Sequence, residues 1–238
     1  MAETTTWLIT GSSRGIGLET TRQLLQSPSN VVIATCRSPS TAKDLQALAQ
    51  SGDVQGKLHI LPLDTADMKS IDAVAKPVED IVGDGGLDYL LNNAAINVGN
   101  DSGFAFSPDD LMRTMNVNVA GPGHLAQTLL PLLERGRNKT ILNMTSGLGS
   151  VGLDCGPKCA TYSLSKIAVN MLTYKQAKAR PDFVAICLDP GWVKTELGGE
   201  GAVLEPAESV SNVLKVLTNL KSSDSGKFFR YDGNTIPW

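Results

Sequence analysis

Six short apolar runs punctuate the chain: "TWLIT" (6–10), "VVIAT" (31–35), "LHILPL" (58–63), "LDYLL" (87–91), "TILNM" (140–144) and "FVAICL" (183–188). Each is apolar at successive positions rather than alternate ones, the pattern of strands buried on both faces of a parallel sheet. Amphipathic stretches fill the intervals at 15–26, 40–50, 67–82, 108–134 and 159–179 and read as helices. This alternation predicts an α/β fold: a doubly wound parallel sheet with right-handed crossovers, helices on both faces, and ligands at the carboxyl ends of the strands. The stretch "GKFFRYDG" near the end reads as one more strand and a turn.

With 238 residues, 42% of them hydrophobic and 19% charged, the chain can bury a large core, and one domain over 1–238 is expected. Its net charge of −3 offers no global attraction for nucleic acid or anionic lipid, so any bound phosphate must be held by local groups. The opening "MAETTTWLITG" lacks the basic and apolar regions of a secretion signal, and no apolar stretch reaches the roughly 18 residues that span a bilayer. A cytoplasmic protein without nucleic-acid or membrane partners is expected, with its four cysteines reduced. Cys36 and Cys187 fall in apolar strand patterns and read as core. Cys155 and Cys159 flank "GPK" in a loop, where a reversible disulfide is the alternative to two free thiols. His59 and His124 have no ligand-like spacing, so no metal site is expected.

The first apolar run leads directly into "TGSSRGIGLETT", where Gly11, Gly15 and Gly17 open a helix around Ser13, Arg14 and Ile16. Glycine permits a tight turn and close backbone approach, while free N–H groups and the helix dipole at that N-terminus favour an anion. The spacing Gly-x3-Gly-x-Gly departs from the common dinucleotide fingerprint. Its place after the first strand nevertheless suits one, and a second strand ends about 20 residues later, where a ribose-reading residue is expected. That strand ends in "ATCRS". A carboxylate there would accept hydrogen bonds from the ribose hydroxyls of NADH; this chain has Arg37 instead. Arg14 can add a second cation, so NADPH/NADP+ is expected in preference to NADH.

Further along stand "NNAA" (92–95), "ATYSLSKIAV" (160–169) with Tyr162-x3-Lys166, and "PGWVKT" (190–195). With these motifs in this order the chain resembles the short-chain dehydrogenase/reductase family over nearly its whole length. Through "ATCR", "NVAGP" and "YDGNTIPW" it is most similar to the NADPH-dependent carbonyl reductases of the sniffer and C-signal group. The resemblance implies one NAD(P)-binding Rossmann-type domain. It also implies that Asp64, closing "LPLDT", contacts the adenine, although an aspartate there equally suits a helix cap, a role for which Asp67 competes. Asn93 and Ala94 would line the cofactor, with Ala95 standing where the family usually has glycine. Pro190, Gly191, Val193 and Thr195 would close over the nicotinamide, Val193 through its backbone; a plain Pro-Gly turn is the alternative.

The same resemblance assigns Ser146, in "NMTSG", to the substrate oxygen, with Thr145 as its nearest rival. From Ser146 to Tyr162 the chain is three residues longer than the family's usual interval, which implies a short insertion within "VGLDCGPKCA". A rigid interval would instead put Gly149 at that position, and Ser150 is a further substitute. Asn118, in "NVNVAG", matches the family asparagine that bends a helix and holds a water linked to Lys166; Asn116 lies two residues earlier.

Four residues apart on a helix, Tyr162 and Lys166 share a face with Cβ atoms roughly 5–6 Å apart. Reducing a carbonyl leaves an alkoxide that needs a proton, and a phenol with a pKa near 10 is a poor acid at neutral pH. Lowering that pKa by about three units takes roughly 4 kcal/mol of preference for the phenolate, which a lysine cation in a poorly hydrated cleft can largely supply. Tyr162 is therefore the expected proton donor, and Lys166 its electrostatic partner and a ligand of the nicotinamide ribose. The expected substrate is a small ketone, aldehyde or quinone with an apolar body. The short Gly-rich segment "GGEGAVLEPAES" falls where the family places its substrate lid, and Leu148, Leu153, Trp192 and Leu197 are candidate lining residues. The resemblance also implies a homodimer or homotetramer through the two long helices, although some members are monomers. A non-catalytic NADPH sensor, or imine reduction or epimerisation on the same scaffold, are the competing functions; retention of both Tyr162 and Lys166 favours an enzyme.

Overall fold

The computed structural model describes residues 4–238. The expected runs all form strands, with bounds shifted by no more than two residues: β1 (Thr5–Thr10), β2 (Asn30–Cys36), β3 (Lys57–Pro62), β4 (Tyr89–Asn92), β5 (Thr140–Met144) and β6 (Val184–Asp189). The tail adds β7 (Phe228–Arg230). All pair in parallel in one seven-stranded sheet of order β3-β2-β1-β4-β5-β6-β7. Strand order reverses between β1 and β4, which opens a crevice at their carboxyl ends.

Consecutive strand residues face opposite ways, so an unbroken apolar run serves two cores at once. Leu8, Leu90, Ile141 and Ala185 pack into one core with residues of α3 (Met68–Val82), α5 (Gly121–Thr128), α6 (Leu130–Arg135) and α7 (Ala160–Ala179). Their neighbours Ile9, Leu91, Leu142 and Ile186 pack into the other with α1 (Gly15–Leu24) and α8 (Pro206–Thr218). Each fully buried leucine or isoleucine contributes about 1.5–3 kcal/mol from apolar burial, and this two-sided packing sets the register of the strand ends that carry the site. The stretch read as 40–50 is a short turn followed by α2 (Lys43–Ala49).

The single helix expected at 108–134 is in fact three, and this expectation is corrected. After α4 (Pro108–Met115) the backbone widens into a π-turn at Asn116–Ala120, and a further break at Leu129 separates α5 from α6. Pro122 has no N–H to donate to the carbonyl of Asn118 four residues back, and Pro131 repeats the interruption at the start of α6. Gly121 then passes so close to the Thr65 carbonyl that a Cβ would stand 2.3 Å from its oxygen. The widened turn leaves the Asn118 side chain facing inward beside α7, where it donates to Ser165 Oγ at 3.0 Å.

Candidate active site

A cleft of about 820 Å³ opens at the carboxyl ends of the strands. Gly11, Ser13, Arg14, Gly15 and Ile16 form one wall; Arg37 and Asp64 stand at the ends of β2 and β3; Asn93 and Ala94 form the floor after β4. Tyr162 and Lys166 project from α7, and Pro190 and Thr195 close the far side. Five expected cofactor or catalytic residues lie off this wall: Gly17, Gly191, Val193, Ser146 and, behind it, Asn118.

Gly17 acts from beneath. A Cβ there would meet the Gly11 carbonyl oxygen at 2.3 Å, so only glycine lets α1 start against the turn. Gly11 itself sits at φ 70°, a conformation that favours glycine. The turn thereby brings the unpaired first N–H groups of α1 to the cleft, a cradle of the size and polarity that a diphosphate requires. Asn93 fixes the floor through hydrogen bonds to β1: its Nδ2 donates to the Thr10 carbonyl at 2.8 Å, and its N–H donates to Thr10 Oγ1 at 3.0 Å. Of the two competing aspartates, Asp67 caps α3 by accepting from the Lys69 N–H, while Asp64 faces the cleft with one oxygen held by the Ala66 N–H.

At the nucleotide end, Arg37 is exposed and Arg14 is engaged. The Arg14 guanidinium reaches across to Glu196 at 2.5 Å, joining the glycine turn to the segment after β6. Both groups are solvent-exposed, so the pair contributes little stability, but it crosses the mouth of the cleft.

At the opposite end, Tyr162 is 7% exposed and Lys166 2%. Lys166 Nζ donates to the Met144 carbonyl at 2.8 Å and stands 5.3 Å from the centroid of the Tyr162 ring. In this state the expected lowering of the phenol pKa does not occur. Burial raises it, and the nearby Asp189 carboxylate and Cys159 raise it further. Burial also brings Lys166 down to about 8. Desolvation outweighs the short-range attraction here because both charged forms would lie almost wholly out of water.

Among the serine alternatives, hydrogen bonding discriminates. Thr145 donates to Asn170 Oδ1 at 2.7 Å, and Ser150 donates to the Pro237 carbonyl; both hydroxyls are committed elsewhere. Gly149 packs against the backbone of Lys166. Half-buried Ser146 accepts only the Leu148 N–H at 3.2 Å. The residues that lengthen the interval to Tyr162 form an exposed loop at 151–158, so the insertion leaves the β5 end and α7 in place. Within and beside that loop Cys155 and Cys159 are free thiols, near the Gly147 carbonyl and Asn100 respectively. Asn118 accepts the Ile96 N–H and donates to the Ile96 carbonyl, both at 2.9 Å, so its side chain clamps the strand-end loop; Asn116 instead donates to the Ala66 carbonyl. Of the candidate substrate-lining residues, Leu197 reaches the cleft, whereas Trp192 is exposed and donates to the Gly198 carbonyl at 2.8 Å.

Sequence reasoning missed Glu196, Arg113, Lys194 and Asp189, all charged groups at or beside the cleft. Lys194 lies within "PGWVKT", Asp189 and Glu196 directly flank it, and Arg113 falls in the stretch at 108–134, but no spacing marks any of them as a cleft residue. Among the described residues no helix is long and apolar enough to cross a membrane, and no three His, Cys, Asp or Glu side chains gather as a metal site.

Comparison with known proteins agrees with this geometry. The short chain dehydrogenase family model matches residues 5–202. An uncharacterized oxidoreductase of Schizosaccharomyces pombe is 32% identical across 98% of this chain and 97% of its own length. C-signal of Myxococcus xanthus is 34% identical over 65% of this chain and 94% of its own. Carbonyl reductase Sniffer of D. melanogaster superposes with a TM-score of 0.92 at 30% identity, covering 99% of this chain and 100% of that one. An NADPH-bound carbonyl reductase from chicken fatty liver gives a TM-score of 0.91 at 33% identity with the same coverage. With the seven-stranded sheet, the glycine turn and the Tyr162/Lys166 pair in place, the chain belongs to the short-chain dehydrogenase family of oxidoreductases.

Proposed function

We propose that the protein is an NADPH-dependent carbonyl reductase that converts a ketone or aldehyde to an alcohol. The observation that carries this reading is the buried Tyr162–Lys166 pair on the wall of a cleft that begins at a glycine-lined helix N-terminus. NADPH fits the residues present: the Gly11–Gly17 turn would hold its diphosphate, Arg37 and Arg14 its 2′-phosphate, Asp64 its adenine, and Lys166 its nicotinamide ribose. When bound, the reduced nicotinamide supplies the hydride. Tyr162 Oη donates its proton to the substrate oxygen as that oxygen gains negative charge. A phenol kept protonated by burial suits this direction of reaction, and the Lys166 ammonium favours the phenolate left behind. Ser146 Oγ hydrogen-bonds the same oxygen and orients it towards Tyr162. Pro190 and Thr195 restrict water on the far side.

A panel of ketones, aldehydes and quinones, followed by loss of NADPH absorbance, tests the reading directly. Turnover of one of them, abolished in Tyr162→Phe with NADPH binding retained, is the expected result. Silence across the panel with NADPH bound would favour a cofactor sensor instead. The four free cysteines suit a cytoplasmic setting.

The assembly is read as a homodimer. Leu164, Ile167, Met171 and Tyr174 form an exposed apolar stripe along α7 at alternating spacings of three and four, against which a second copy's α7 can pack. Light scattering should give twice the chain mass for the parent and the monomer mass for Met171→Lys.

A further inference from the structure

Asp189 is an ionisable group that the mechanism above does not use. It closes β6, and its main-chain carbonyl is pinned to the neighbouring strand by the Tyr231 N–H at 2.8 Å. Its side chain turns towards two loops. Oδ1 accepts the Gly191 N–H at 3.1 Å, and Oδ2 is turned towards the Gly147 backbone. A Cβ built on Gly147 would stand 3.4 Å from Oδ2, so the Gly147 backbone lies against this oxygen. Gly147 directly follows Ser146, and Gly191 directly follows Pro190.

Adjacent strands lie about 4.8 Å apart, and the loops leaving β5 and β6 diverge from that spacing unless something holds them. A carboxylate has two acceptor oxygens and no donor, so it can hold N–H groups from both loops at once; an amide presents only one acceptor. We propose that Asp189 is a positioning residue for carbonyl reduction, tying the turn that carries Ser146 to the turn that carries Pro190 and so fixing the distance between the substrate oxygen and the nicotinamide side of the cleft. The inference rests on the carbonyl-reductase reading for its kinetic consequence and on the two backbone contacts for its geometry.

The groups facing this carboxylate are Lys166 and Tyr162 from α7, Arg230 from β7 and Cys155 from the loop after β5. Burial raises the Asp189 pKa, which means that the ionised form is disfavoured by folding. For a carboxyl whose folded pKa lies above its unfolded value, this penalty is present above the folded pKa and is relieved as pH falls through it towards the unfolded value. Neutralising Asp189 should therefore not destabilise the fold at pH 7. A group kept at a cost to stability fits a role in activity.

The test compares the parent with Asp189→Asn and Asp189→Ala. For Asp189→Asn, with 4-nitrobenzaldehyde and NADPH as probes, kcat should fall about tenfold while KM for NADPH stays within about twofold, because a loosened geometry affects the reacting state more than cofactor binding. Its Tm at pH 7 should equal or exceed the parent's. In Asp189→Ala, amide hydrogen exchange at Gly147 and Gly191 should quicken about tenfold, with the sheet interior unchanged. Unchanged kcat in Asp189→Asn, or a fall in Tm that accompanies the kinetic loss, would overturn the proposal. Unchanged exchange at both glycines would overturn it as well. A parent that reduces no carbonyl would remove the functional reading instead, and the exchange arm, which needs no turnover, would then decide whether the tie exists.

Discussion

The two ends of the cleft are built on opposite principles. At the nucleotide end, Arg14 and Arg37 stand in solvent, and Arg14 makes an exposed ion pair to Glu196. At the catalytic end, Tyr162 and Lys166 are almost fully enclosed, and the lysine is anchored on the carbonyl of a core strand. Water screens charge at the first site and is largely absent from the second. Equal changes in charge should therefore alter binding modestly at one end and chemistry drastically at the other.

The largest effect belongs to the buried end: Tyr162→Phe should lower kcat for carbonyl reduction by about a thousandfold or more while NADPH still quenches protein fluorescence as in the parent. Comparable turnover by the variant would erase the proposed contrast. Next, Lys166 loses its charge above a pH of about 8, so kcat/KM for NADPH should be level below that value and fall about tenfold per pH unit above it. Because its folded pKa is depressed, the accompanying stability penalty is present below about pH 8 and diminishes as pH rises towards lysine's ordinary value of 10.5; a melting series against Lys166→Met measures this.

At the exposed end, Arg37→Asp should shift the ratio of kcat/KM for NADPH and NADH by about tenfold towards NADH, a change read from paired steady-state assays. Smallest of all is Glu196→Gln. Releasing Arg14 from its partner should tighten NADP+ about threefold and leave NAD+ unchanged, and the NADP+ effect should fade in high salt, as titration calorimetry can follow. A Glu196→Gln effect as large as that of Tyr162→Phe would mean that the two ends do not differ in the way proposed.

Much of the fold was legible before any coordinates. The strands could be placed within two residues because burial on both faces leaves an unbroken apolar run that few other elements share. Tyr162 and Lys166 could be paired because helical periodicity acts over four residues. Other features were misread or missed for identifiable reasons. The region at 108–134 contained Pro122 and Pro131, whose missing N–H groups signal interruptions, yet its apolar pattern suggested one helix. The pKa of Tyr162 was expected to fall because Lys166 is close in sequence; it rises because burial depends on the packing of α7 against the sheet end. That Asn170 and Pro237 accept the Thr145 and Ser150 hydroxyls, which favours Ser146 in the proposed role, was visible only in the structure.

Local periodicity alone determined the sheet, the glycine turn, the Tyr162/Lys166 face and the absence of a carboxylate at the end of β2, since each depends on residues within a few positions of one another. Tertiary structure decided the Arg14–Glu196 contact between residues 182 positions apart, the clamp of Asn118 on Ile96, and the convergence of Gly147 and Gly191 on Asp189. These contacts arise because a parallel sheet brings the carboxyl ends of distant strands together, and no interval along the chain specifies which side chains will meet there.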